Sequence, residues 1–394
     1  MKKLILLAIL ILLLTNLFGI REFACMFTLI NPSTTDVAFG LNSGTTNIWN
    51  TSPLSVWSNP AKLGYHNGLA FGYSNDPYFE KIFPDIYHRS SYVSYGWNGI
   101  GVLLPAPSAK KHWGTFMDYG EQTMMDEYGN VIGTFESYDA CSKFAIGLNT
   151  IEFVSNFINN ERFRSLQCYG DLSIGYNYDN IISDLAPEGT GGGEIGIKGL
   201  GESHSSGYGF IGRISPFNKI NAIGKFCRLD LTAGIYYLNN ERTKITYINE
   251  SQADPLPYGI RSAFSGKFSI DLGIIPEIDN TGLRDFINNL FSIYYSQDNA
   301  QYGEKDELNP GIWGEGIEFT FFDILSIRKG QHVDRAGEMV GDTDGFGLNF
   351  NYKDIFQFQY NKTKFPGGEL QDEQEKTDYM VRVDFIEAYN LFKN

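Results

Sequence analysis

Between Gly345 and Asn361 the chain reads GFGLNFNYKDIFQFQYN, and large apolar residues alternate there with glycine or amides. Phe346, Leu348, Phe350 and Tyr352 share one parity; Gly345, Gly347, Asn349 and Asn351 share the other. Beyond Lys353-Asp354 the alternation resumes, with Phe356, Phe358 and Tyr360 set against Gln357, Gln359 and Asn361. Successive strand side chains point to opposite faces, so the pattern predicts a β-hairpin with one aromatic face and one amide face. The aromatic face must meet something apolar. That is a second sheet in a soluble protein, or lipid in a barrel whose amides line a wet lumen.

The same signal recurs along the chain. Leu229, Leu231, Ala233, Ile235 and Tyr237 oppose Asp230, Thr232, Gly234 and Tyr236; Phe264, Phe268, Ile270 and Leu272 oppose Ser265, Lys267, Ser269 and Asp271. Tyr379, Val381, Val383 and Phe385 stand against Arg382 and Asp384, in a strand expected over Tyr379 to Ile386. Shorter strand signals start at Gly68, and no later stretch has the length and purity of a membrane helix. Roughly 330 residues divided into strands of about ten, with short turns on one side and long loops on the other, make about 14 strands. The polar stretches Gln122 to Ser137, Ser183 to Ser206, Ser296 to Pro310, Gln331 to Thr343 and Lys362 to Thr377 are expected as the loops. Charges at Lys267, Asp271, Arg382 and Asp384 are costly against lipid, so they should point inward or lie near the interface, paired with one another.

The N-terminus favours export. Met1-Lys2-Lys3 precedes an apolar run from Leu4 to Leu14, and residues 1–24 read as a signal peptide, with a membrane anchor as the alternative. Residues 25–64 do not alternate; they are rich in Ser, Thr, Asn and Gly, yet carry Trp49 and Trp57. Such a segment should pack against something, and in a barrel comprising residues 65–394 the economical place is the lumen, as a plug. Trp57, Asn59, Pro60 and Ala61 are its candidate functional residues. Asn59-Pro60-Ala61 reads either as a tight turn, with Pro60 fixing φ and Asn59 capping, or as an element controlling access to the lumen.

Composition narrows the partners. The net charge of −15 deepens to about −17 on loss of the signal and argues against nucleic acid. Thirty Phe, 24 Tyr and 43 Gly suit a barrel that needs interfacial rings and close strand packing. The four cysteines, Cys25, Cys141, Cys168 and Cys227, make no disulfide framework, and no pair is indicated. His66, His88, His112, His204 and His332 lack metal-ligand spacing. Gly189 to Glu194, GTGGGE, lacks the Lys-Ser/Thr of a phosphate loop, and no nucleophile elbow is present. No catalytic residue, metal or cofactor is expected.

The Asn59-Pro60-Ala61 turn resembles the element preceding the first strand of FadL-like outer-membrane barrels. Ile245 to Phe264, Gly316 to Gly330 and Asp344 to Tyr360 resemble the PorV/PorQ branch of that family. The chain departs from the family at Lys62, where glycine is usual, at Lys329 within the arginine-glycine strand, and in ending at Asn394 rather than an aromatic. The resemblance implies an all-β, 14-stranded transmembrane antiparallel barrel with an N-terminal luminal plug, in the outer membrane of a Gram-negative-type bacterium. It implies a transport or type IX-like protein-secretion component, with lipid and exported proteins or secretion components as partners. The alternatives are a FadL-like uptake channel for hydrophobic small molecules and a secreted soluble β-sandwich binding module.

Overall fold

The computed structural model describes residues 23–40, 44–77, 85–109, 112–126, 128–158, 168–185, 199–217, 226–247, 253–275, 282–303, 311–334, 339–367 and 373–393. The signal-peptide assignment, the GTGGGE stretch and Asn394 fall wholly or almost wholly outside the described residues.

Fourteen strands form one closed antiparallel barrel. They are β1 (Gly68–Pro77), β2 (Tyr87–Trp97), β3 in two pieces (Ile100–Pro105 and Thr115–Met125), β4 (Val131–Asn149), β5 (Gly170–Asp184), β6 (Leu200–Ile214) and β7 (Cys227–Leu238). Then follow β8 (Gly259–Asp271), β9 (Asn289–Tyr302), β10 (Ile312–Phe321), β11 (Leu325–Asp334), β12 (Met339–Tyr352), β13 (Phe356–Pro366) and β14 (Glu373–Val383). Each strand pairs with its sequence neighbours, and β1 closes on β14 from Leu69↔Val383 to Ser74↔Asp378. Closure leaves no edge strand, which is the condition for crossing lipid without unpaired backbone groups.

The short turns gather at one end. Asn98-Gly99, Phe322-Asp323 and Lys353-Asp354 have positive φ at both residues. This is the mirror-image turn whose twist matches that of paired strands. Among the described connections such two-residue turns occur only at this end, which marks it as the periplasmic side.

The hairpin faces follow the alternation. Phe346, Leu348, Phe350, Phe356 and Phe358 are exposed on the outer wall, while Gln357 and Asn361 are buried inside. On other strands Phe71, Trp97, Ile146, Phe210, Phe264, Phe319 and Val381 extend the same exposed apolar belt. A soluble sandwich would bury these rings between sheets; here they ring a closed wall. This is the lipid-facing surface of an outer-membrane barrel of Gram-negative type.

The strands are longer than the alternation suggests. Pairing continues into every stretch expected to be a loop, and β4 reaches 19 residues, where about ten cross a bilayer. The outward row of β13 shows the reason. Phe356, Phe358 and Tyr360 face lipid, and Tyr360 meets Tyr379 with ring centroids 5.2 Å apart. The next outward residues, Lys362 and Lys364, pair with Glu375 and Glu373. Above that tyrosine level both faces are wet, so hydrophobic alternation stops while backbone pairing does not. Lys329 is explained likewise: it faces outward and approaches Asp342 at 3.8 Å.

The last strand ends at Val383, before the expected Ile386. Asp384 caps a helix over Phe385–Lys393, accepting from the Ile386 and Glu387 amides. It therefore lies at the rim instead of facing the lumen.

Candidate functional site

Residues 23–40 and 44–66 lie inside the ring of strands. At the long-loop end the Phe23 ring meets Tyr258 edge-on, and the Ala24 amide donates to the Pro255 carbonyl. At the short-turn end His66 leads into β1. The sequence between them folds as short turns because each start is locally capped. Ser33 accepts from the Asp36 amide, Ser52 from Leu54 and Asn59 from Ala61, with Pro53 and Pro60 at or next to the first helical position. Among its described residues four helical turns occur: Met26–Leu29, Thr34–Val37, Pro53–Trp57 and Pro60–Tyr65.

The wall binds this segment through an apolar cluster, in which Phe27, Leu54, Trp57 and Leu63 pack with Tyr92, Leu103, Met117 and Ile181, and through polar contacts. Asp378 accepts from the Thr34 amide at 2.7 Å, Thr343 donates to the Ala38 carbonyl at 2.7 Å, and Asp298 accepts from the Thr45 amide at 2.9 Å. Ser173 donates to the Ala61 carbonyl at 2.6 Å. Luminal glycines let the backbones approach. A Cβ on Gly175 would overlap Pro60 and the Ala61 amide, and one on Gly209 would overlap the Asn59 side chain. Gly101, Gly147, Gly316 and Gly330 meet Leu63, Phe39 and Ala38 in the same way.

One ion pair ties the segment to itself. Lys62 Nζ lies 3.0 Å from Asp36 Oδ2, both side chains fully buried. Lys62 also donates to the Ser55 carbonyl, and Asp36 accepts from Asn50 and Ser58. Burial pushes the Asp36 carboxyl up and the Lys62 ammonium down, while their mutual attraction opposes both shifts. His66, fully buried beside the cations Lys62 and Arg382, is pushed down to about 3. Burial, helped by Asp139, pushes the Cys25 thiol up to about 12. Around this node the wall supplies Lys143–Asp179 at 2.9 Å, Lys376–Asp76 at 2.7 Å and Arg328–Glu318 at 2.6 Å.

The four candidate residues sit together on the β2 to β7 side. Trp57 is buried, donates to the Thr28 carbonyl at 3.1 Å, and receives Lys143 Nζ 4.6 Å above its ring. Asn59 caps Ala61 and also reaches the Ile235 carbonyl; Pro60 lies against Gly147 and Gly175. Asp36 and the wall acids Asp179 and Asp378 were not singled out from sequence, and Lys62 only as a departure. A charge on a luminal parity position is the signal that marks the wall acids. No such signal marks Asp36, whose segment has no period.

The expected pairing among Lys267, Asp271, Arg382 and Asp384 does not occur. Asp271 pairs with Arg284 near the short turns, Arg382 approaches Asp354 at 3.9 Å, and Lys267 sits 5.8 Å from the Trp49 ring centre. Beside Trp49, on the β8 to β13 side, lies a cavity of about 240 Å³ whose lining reaches Asp323 and Asn351 at the short turns. A second, apolar hollow of about 480 Å³ lies where β3 is interrupted, lined by Leu104, Trp113, Phe144 and Ile182. Behind it Ser91, Ala106 and Gly114 are joined by backbone hydrogen bonds, and buried Tyr92 donates to the Cys141 carbonyl. Among the described residues no three metal-ligating side chains cluster, and no disulfide joins the four cysteines.

No family model and no curated protein sequence matches the chain. Among solved structures, a Pseudomonas aeruginosa FadL homologue is similar at 8% identity, with 94% of this chain and 100% of that chain covered and a TM-score of 0.38. The Ralstonia pickettii toluene transporter TbuX gives 10% identity, 84% and 94% coverage and 0.37. The Pseudomonas putida toluene transporter TodX gives 9% identity, 93% and 98% coverage and 0.32. These are distant likenesses, and the architecture of this chain is established by its own strand register and apolar belt.

Proposed function

We propose that the chain is a gated outer-membrane transport or protein-secretion component of PorV/PorQ-like type, with residues 25–64 as its luminal plug and no catalytic role. The observation that carries this reading is the manner of filling. The wall meets the segment through glycines, single polar contacts and an apolar cluster in which Phe27, Leu54, Trp57 and Leu63 pack with Tyr92, Leu103, Met117 and Ile181, so the segment is seated in the barrel by side-chain contacts and not by strand pairing. The polar lumen favours a hydrophilic cargo or a protein partner. Planar-bilayer conductance of the wild type and of a deletion of 27–64 tests the gate. A folded deletion barrel with markedly raised conductance is expected; loss of barrel folding makes the segment part of the core and overturns the plug.

FadL-like uptake of a hydrophobic small molecule is the second reading, favoured by the apolar hollow at the β3 interruption. Extraction of the purified protein with organic solvent separates the two. A bound apolar compound lost on Phe144→Asp supports uptake, and its absence, with exported proteins retained on the loop side, supports secretion.

A further inference from the structure

The polar cavity beside Trp49 goes beyond either reading. It is lined by Trp49 and Asn50 of the inner segment, by luminal residues of β8 to β13, and by Asn288, Asp323 and Asn351 at the short-turn end. Nine of its twenty lining residues are Asn or Gln, side chains that donate and accept from one group. Its charges are unevenly used. Arg328 and Glu318 neutralise each other at 2.6 Å, and Asp323 accepts from the Asn288 and Asn289 amides at the rim. Lys267 has no carboxylate at ion-pair distance among the described residues, and it stands beside the Trp49 indole. The Oδ1 of Asn351 is buried without a hydrogen-bond partner.

We propose that this cavity binds one pyranose ring carrying a carboxylate, a sugar acid. Vicinal hydroxyls need donors and acceptors side by side, which an amide wall provides. An indole gives the apolar face of a sugar ring a flat surface, and an ammonium with no ion-pair partner among the described residues matches one carboxylate. Drug-sized ligands occupy about 300–1,000 Å³, so the smaller cavity holds a single ring. A longer glycan would continue past Asn288, Asp323 and Asn351, the lining residues at the short-turn end. An apolar ligand is disfavoured, because it would leave wall amides unpaired on burial.

Isothermal titration of the full-length protein in detergent, with glucuronate as probe, tests the site. Saturable binding is expected, with glucose about tenfold weaker, equivalent to about 1.4 kcal/mol. Lys267→Met should bring glucuronate down to the level of glucose and leave glucose unchanged. An oligogalacturonate binding as tightly as glucuronate identifies a glycan end as the source; its exclusion identifies the free sugar acid. Absence of saturable heat, displacement of glucuronate by equimolar acetate, or unchanged glucuronate affinity in a heat-modifiable Lys267→Met barrel overturns the proposal. If that variant fails to fold, the glucuronate to glucose ratio in the wild type decides: equal affinities overturn it.

Discussion

Replacing Lys62 with Met removes the cation of a fully buried pair while nearly preserving side-chain volume. Asp36 keeps its hydrogen bonds to Asn50 and Ser58 but loses the 3.0 Å contact that offsets its burial. Removing one partner of a buried ion pair costs about 3–5 kcal/mol, because the remaining charge is left uncompensated. Neutralisation of Asp36 places the expected cost at the lower end, about 3 kcal/mol, since burial already pushes its carboxyl up. Both residues belong to the inner segment, so the penalty falls on its seating and leaves the strand pairing of the barrel untouched. Cys25 reports seating, being 6% exposed and poorly ionised. In a background with Cys141, Cys168 and Cys227 replaced by serine, maleimide labelling of Cys25 should accelerate about a hundredfold in Lys62→Met, if labelling proceeds through segment release. Adding Asp36→Asn should restore most of the protection, because the double variant leaves no buried charge. Equal labelling of wild type and Lys62→Met, or a double variant as labile as the sum of the singles, would refute the reasoning.

Three further outcomes follow from the same geometry. Phe358→Arg places a charge on the lipid face at a cost of about 2–4 kcal/mol and should lower the fraction folded into lipid vesicles, whereas Gln357→Arg should fold normally; equal behaviour counts against the assigned facing. Gly209→Ala should raise Cys25 labelling by displacing Asn59, while Gly212→Ala, whose Cβ meets nothing within 4 Å, should not; matching rates for the two would remove the close-approach argument. His66, held near 3, binds a proton only on release, so seating should weaken as pH falls from about 6.5 toward 3, by about 2 kcal/mol at pH 5. Protonation of Asp36 acts in the opposite direction, so the measurement is the pH dependence of labelling in His66→Gln against wild type, and identical profiles exclude the histidine.

The parity of Phe358 and Gln357 was legible because lipid on one face and water on the other imposes a period of two. Lys362 and Lys364 continue the same strand but were placed in a loop: above the bilayer both faces are wet and the period vanishes while the hydrogen bonds remain. Asp384 was read into the last strand by parity, yet its carboxylate caps a helix. The capping turn at Asn59-Pro60 was readable from local chemistry. Its neighbours across the barrel, Gly175 and Gly209, were not, since close approach between residues more than a hundred positions apart leaves no local pattern. Lys62 stood out as a family departure, but its partner Asp36 lies in a segment without periodicity.

The inner segment and the belt obey opposite rules. Outward positions need only be apolar, so their identities are interchangeable and repetitive. Inward positions must each answer one particular group: a glycine beneath Pro60, an aspartate facing the Thr34 amide, a threonine reaching the Ala38 carbonyl. The polar share of these contacts is several bonds of about 1 kcal/mol each, which release of the segment exchanges for bonds to water at modest net cost. The apolar cluster of Phe27, Leu54, Trp57 and Leu63 on the β2 to β5 wall adds a hydrophobic penalty to that release, and a wholly apolar seat would add more. The polar share of the seat is thus what makes a removable occupant physically reasonable. A purely structural filler would gain more stability from an apolar seat, and the buried charges would then be a cost without a return.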